Sequence, residues 1–153
     1  MPPVRPPSDP TGPRPADDVL SSSPLAGRSA DFQLFWTERH LATLTTIRGD
    51  GSPHVVPVGV TLDLETGLAR VITSSGSVKA RRLAAAGPPG LPAAVCQVEG
   101  RRWSTLEGIA VLRTDPDAVA EAERRYADRY RTPRVNPARV VIEISVRHVL
   151  GNQ

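Results

Sequence analysis

From residue 40 to residue 149 the chain breaks into short segments in which apolar and polar residues alternate, and turn-forming residues separate them. This pattern constrains the fold more than any other feature. A period of two suits a strand with one buried face, and runs this short do not sustain helical spacing. Six segments qualify: residues 40–47, 53–62, 68–73, 93–98, 101–112 and 139–149. Asp50-Gly51 punctuates the first connection as a hairpin does, residues 63–67 form a second turn, and Glu99-Gly100 forms a third. Pro53 and Pro57 each remove a backbone donor from the second segment, which predicts an unpaired or bulged edge there.

Three helices interrupt the strands. Residues 30–38 carry Phe32, Leu34, Phe35 and Trp36 behind a cap at Asp31. Residues 78–86 follow Ser77, a favoured cap, and stop at Gly87-Pro88-Pro89-Gly90. Residues 116–130 follow Asp115, start at Pro116 and place Val119, Ala122, Tyr126 and Tyr130 on one stripe. Hairpins dominate, so the expected fold is mainly β: a six-stranded antiparallel barrel with helices packed at its openings. A Gly-rich dinucleotide turn and a nucleotidase-type phosphate loop are both missing from the sequence.

The barrel domain is expected over residues 30–151. Eight of the 16 prolines (Pro2, Pro3, Pro6, Pro7, Pro10, Pro13, Pro15 and Pro24) fall before it. Residues 1–29 therefore read as a disordered tail, too poor in apolar surface to offset the entropy of ordering. The tail lacks the apolar run of a signal peptide, and no window approaches the ~20 apolar residues of a membrane span. The expected location is cytoplasmic, without a membrane partner. Cys96 is the one cysteine and lies in an apolar run, which excludes an internal disulfide and a cysteine-cluster metal site. His40, His54 and His148 are too far apart in sequence to suggest a histidine metal site.

A net charge of +3 is too small to argue for nucleic acid. Of the 19 basic residues all but Lys79 are arginine, which draws attention to that lysine. It closes the run Arg70-Val71-Ile72-Thr73-Ser74-Ser75-Gly76-Ser77-Val78-Lys79. There a strand ends, hydroxyls and a glycine turn the chain, and a helix begins. Backbone N–H groups, hydroxyls and a helix N-terminus beside a point charge make a phosphate site by their physics. An ordinary capped helix with a solvated lysine is the competing reading.

Those residues, with the strand His54-Val55-Val56-Pro57-Val58, resemble the pyridoxamine-phosphate-oxidase-like split barrels, the FMN-binding fold. Further runs are similar to the actinobacterial coenzyme F420-dependent biliverdin reductases of that superfamily. These are Glu38-Arg39-His40, Gln97-Val98-Glu99-Gly100-Arg101-Arg102-Trp103, Leu106-Glu107-Gly108 and Arg125-Tyr126-Ala127-Asp128-Arg129-Tyr130-Arg131-Thr132-Pro133-Arg134-Val135-Asn136-Pro137. The resemblance covers about residues 33–151 and implies a homodimeric split barrel with coenzyme F420, or alternatively FMN, at the subunit interface. It implies a cofactor site of His54, Val56, Pro57, Thr73, Ser74, Ser77, Lys79 and Arg81, with Trp103 supplied by the second subunit.

Three arginines within six residues after a helix suit carboxylates, so Arg129, Arg131 and Arg134, with Asn136, are the expected substrate contacts. The implied reaction passes a hydride from the reduced deazaflavin to a biliverdin-like tetrapyrrole, giving bilirubin. The cofactor carries the difficult chemistry, and the protein orients two rings. No nucleophile triad is visible, and no side chain stands out as a protein acid. Arg131 and Arg134 are the candidates for stabilising charge, with bound water as the proton source. The alternatives are an FMN-dependent oxidase or reductase, an F420-dependent reductase of quinones or enones, and a non-catalytic cofactor- or tetrapyrrole-binding module. A nucleic-acid binder using the arginines lacks a groove-reading motif.

Overall fold

The computed structural model describes residues 23–152. Its elements in chain order are α1 (Ala30–Thr37), β1 (Ala42–Ile47), β2 (Pro53–Val58), β3 (Thr61–Asp63), β4 (Leu68–Ser74), α2 (Val78–Ala86), β5 (Leu91–Glu99), β6 (Arg102–Arg113), α3 (Pro116–Arg129) and β7 (Arg139–Gly151). The sheet is antiparallel throughout, in the order β2-β1-β5-β6-β7-β4-β3.

Seven strands stand where six are expected, because the segment 53–62 divides. Its first part pairs with β1 and its second with β4, at opposite ends of the strand order. Gly59 and Val60 alone join these two edges. At ~3.5 Å of reach per residue, so short a link forces the sheet to curl until its edges meet. The edges meet without hydrogen-bonding to each other, and the barrel stays split along that seam. Pro53 and Pro57 lie on an edge strand, where a missing donor costs nothing.

The end of α3 seals the seam. The Tyr130 hydroxyl accepts from the Val60 N–H at 3.0 Å and donates to the His40 carbonyl at 2.6 Å. Arg129 donates from Nε to Glu38 O at 2.9 Å, from Nη1 to Val60 O, and from Nη2 to Gln97 Oε1 at 2.9 Å. Buried backbone groups that a closed barrel would pair through its ladder find side chains instead.

Inside the barrel Leu44, Val71, Val95, Leu106, Ile142 and Ile144 pack with Phe32 and Trp36 of α1. Trp36 is held by a hydrogen bond from Nε1 to Ser104 Oγ at 3.0 Å. The cap of α1 is Ser29, not the expected Asp31: its hydroxyl accepts from Phe32 N, and Asp31 lies inside the first turn. Residues 23–29, counted with the tail in sequence, belong to the domain, since Leu25 is 4% exposed within the core. The rest of the expected tail, residues 1–22, lies outside the described residues. Asp115 caps α3 and Pro116 opens it, as the sequence predicts. Strand β5 starts at Leu91, earlier than expected, and takes in Pro92. There β5 has β6 on one side, while its pairing with β1 begins only at Ala93.

Candidate functional site

Strand β4 ends at Ser74, and α2 starts four residues later. The turn between them is closed by its own hydrogen bonds: Ser77 N donates to Ser74 O at 3.0 Å, and Ser75 N to Ala138 O at 2.8 Å. The Ser77 hydroxyl caps α2 by accepting from Ala80 N at 3.2 Å, and it also accepts from Thr73 Oγ1 at 3.1 Å. Among the described residues, the N–H groups of Gly76, Val78 and Lys79 meet no protein acceptor. These are the orphan donors at the positive end of a helix.

Lys79 is half-buried beside them, and burial pushes its pKa below the usual 10.5. It bonds to no carboxylate among the described residues.

A cleft of about 400 Å³ opens next to this turn. Pro57, Val58 and Gly59 at the seam line one part; Ile72, Thr73, Ser74 and Lys79 line another; Tyr126, Arg131, Pro133, Arg134, Asn136 and Arg139 complete it. No carboxylate lines it, while four cations do. Arg139 is occupied with Glu123 Oε1 at 3.3 Å and with the Arg134 carbonyl at 2.6 Å. The side chains of Lys79, Arg131 and Arg134 have no anionic partner among the described residues. The arginine loop is tied to the turn by Asn136, whose Nδ2 donates to Ser74 Oγ at 2.8 Å.

The structure thus brings together Pro57, Thr73, Ser74, Lys79, Arg131, Arg134 and Asn136, seven of the residues singled out in sequence. Ser77 stands behind Thr73 and orients it. Arg81 is exposed on α2, outside the cleft. His54 and Val56 point the other way from Pro57, as alternation along β2 requires: they lie opposite the buried Thr46 and Leu44, and His54 Nδ1 is buried without a partner. Neither residue lines this cleft. Arg129 is also outside the cleft. Its guanidinium is spent on Glu38 O, Val60 O and Gln97 Oε1, so its expected place among the substrate contacts gives way to a structural one.

Trp103 is 39% exposed on the outer face of the sheet, directly across from Val98. With Leu41, Val98 and Leu150 it leaves several large apolar side chains uncovered on that part of the molecule.

Six cleft residues are absent from the expected site: Val58, Gly59, Ile72, Tyr126, Pro133 and Arg139. Tyr126 was absorbed into the apolar stripe of its helix. Gly59 matters because a Cβ there would stand 2.7 Å from Tyr126 Cε2. Elsewhere, Glu38, His40 and Glu99 gather their ligand-type atoms within 4.8 Å, and the two carboxylates hold the Arg102 guanidinium. Hydrogen bonding from His40 is the first cause that holds the Glu38 carboxyl below its usual range.

A family model described as pyridoxamine 5'-phosphate oxidase matches residues 29–153. A curated protein of Mycobacterium tuberculosis (strain CDC 1551 / Oshkosh) named F420H(2)-dependent biliverdin reductase is 56% identical over 124 residues, covering 81% of this chain and 88% of its own. The structure of the conserved hypothetical protein Rv2991 of M. tuberculosis superposes with a TM-score of 0.67 at 22% identity, covering 81% of this chain and 83% of that one. A structure titled F420 Reductase superposes with a TM-score of 0.59 at 21% identity, over 77% and 94% of the two chains. At such identities these two superpositions speak for the fold.

Proposed function

This chain belongs to the pyridoxamine 5'-phosphate oxidase family, and on that premise we propose that it is an F420H2-dependent oxidoreductase that reduces biliverdin to bilirubin. The observation that carries the reading is the cleft, in which a phosphate-type turn and an arginine loop face one space without a carboxylate between them.

The residues present fit the coenzyme. The open N–H groups at the start of α2, the Ser74 hydroxyl, and Lys79, which has no anionic partner among the described residues, suit a phosphate. When bound, the reduced deazaflavin supplies the hydride. The protein supplies the placement. Pro57 presents a short side chain at the seam side of the cleft, and the Tyr126 ring, packed over Gly59, offers a flat ligand an aromatic wall beside it. Arg131 and Arg134 suit the propionates of the tetrapyrrole, and Asn136 holds their loop against the coenzyme turn. A fixed distance between the two binding elements is what a direct transfer between two rings needs.

The functional unit in this reading is a homodimer. The exposed apolar side chains Leu41, Val98, Trp103 and Leu150 are what a second copy would cover, and Trp103 would then border the partner's coenzyme site. Among the described residues no helix is long and apolar enough to cross a membrane.

The test is to mix the protein with reduced F420 and biliverdin, following deazaflavin reoxidation and bilirubin together. Equal amounts of both support the reading. Turnover with reduced FMN but not with reduced F420, or binding of both compounds without turnover, would overturn it.

A further inference from the structure

A bilin gains two electrons and two hydrogens on reduction, one hydrogen as hydride on a methine carbon and the other as a proton on a ring nitrogen. The arginines of the cleft are too basic to give up that proton. Lys79 sits in the phosphate turn. One further side chain of the cleft carries an acidic hydrogen without an assigned partner, and it is Tyr126.

Its surroundings hold it ready. The ring packs over the bare backbone of Gly59, where even a Cβ would come within 2.7 Å. It also stacks on Tyr130 with centroids 4.9 Å apart and planes 31° from parallel. The two phenols differ in their hydroxyls. That of Tyr130 is consumed by the seam, bonded to the Val60 N–H and the His40 carbonyl. That of Tyr126 makes no hydrogen bond among the described residues and is not sealed from solvent. A packed ring with an uncommitted hydroxyl, lining the same cleft as the phosphate turn and the arginine loop, has the attributes of a donor to a bound ligand.

We propose that Tyr126 touches the tetrapyrrole as the catalytic acid. Its O–H bond breaks as an N–H bond forms on the pyrrole ring, while the methine carbon takes the hydride supplied by the reduced coenzyme. The phenolate then recovers a proton from water. This assignment rests on the biliverdin-reductase reading.

The test is Tyr126→Phe, which keeps the ring over Gly59 and removes the hydroxyl. The expected result is a kcat lower by ~10²-fold, in the range typical of a lost general acid, with Tm and F420 affinity unchanged. Without any coenzyme, biliverdin bound to the variant should show a visible absorption band displaced from that in wild type, since the pyrrole nitrogen loses its donor. A kcat within about twofold of wild type, or an unmoved bilin band, overturns the assignment while leaving the parent reaction standing. Failure of the wild-type protein itself to bind and reduce biliverdin overturns both.

Discussion

At the scale of single residues, burial and charge set the terms. Lys79 is held half-buried with no anion beside it among the described residues, and burial depresses its pKa from the usual 10.5. A base of this kind weakens the fold while it is charged, because the unfolded chain binds the proton more readily. Lys79→Met should therefore raise Tm, and the gain should shrink as pH rises toward 10.5, where the wild-type lysine also becomes neutral. The same substitution should weaken F420 binding by ~10-fold or more, the cost of one charge-assisted contact, read by fluorescence titration of the coenzyme. Opposite signs for stability and affinity would mark the lysine as kept for its ligand. Arg129 is the reverse case. Its loss would strand Val60 O, Glu38 O and Gln97 Oε1 at the seam. Arg129→Ala should lower unfolding stability by about 3 kcal/mol in urea, as removal of several hydrogen bonds from a charged donor does.

At the scale of elements, the helix ends decide the site. The Ser77 hydroxyl both caps α2 and receives the Thr73 hydroxyl. Ser77→Ala should cost about 1 kcal/mol of stability, an ordinary cap loss, and should also change coenzyme affinity, because the Thr73 hydroxyl loses the acceptor that fixes it. Equal coenzyme affinity in the two proteins would confine Ser77 to capping. On α3, Glu121 bonds Arg124 at 2.8 Å and Arg125 at 2.7 Å, and these arginines bring its pKa from 4.5 to about 2. Its folded-state value is depressed, so its contribution is present above pH 4.5 and fades as pH falls toward 2. The pairs are at the surface, so Glu121→Gln should lower Tm at neutral pH by an amount worth under ~1 kcal/mol, with the difference vanishing near pH 2.

The element scale also explains which parts of the fold could be read from the sequence. The helix capped by Ser77 and the one opened by Asp115-Pro116 stand where local chemistry placed them, because a cap is a contact between near neighbours. The division of residues 53–62 was not readable. Val55, Val56, Val58 and Val60 look like one strand, and the break at Gly59 depends on which partners lie on either side, a long-range fact. Ser29 displaced Asp31 as the cap for a smaller reason: both are good cap residues, two positions apart, and local chemistry alone does not choose between them.

For the whole molecule, the two-residue link across the seam makes the barrel, and the seam makes the cleft. Gly59 lets the Tyr126 ring lie against the backbone on one wall, and Tyr130 and Arg129 lock the edges behind. The outer face, with Trp103 and Val98 side by side, is the surface on which the homodimer reading rests. Val98→Asp should shift the protein toward monomer in analytical ultracentrifugation and lower F420 affinity in parallel, since a desolvated charge in an apolar interface is costly. A variant that remains dimeric with unchanged affinity would remove this face from the site.

Alternation, turn residues and caps are local signals, and they were enough to specify an antiparallel barrel with three helices and to mark the turn at residues 73–79. The arginines at 131 and 134 were visible as a cluster, because short spacing alone places them together. What folding added is the selection among them. Alternation on β2 carried His54 and Val56 inward while Pro57 stayed at the cleft, and the open seam drew Arg129 into backbone bonds. A helical stripe that reads as core left Tyr126 at the mouth of a site. These outcomes depend on which distant strands meet, and no short window of sequence contains that information.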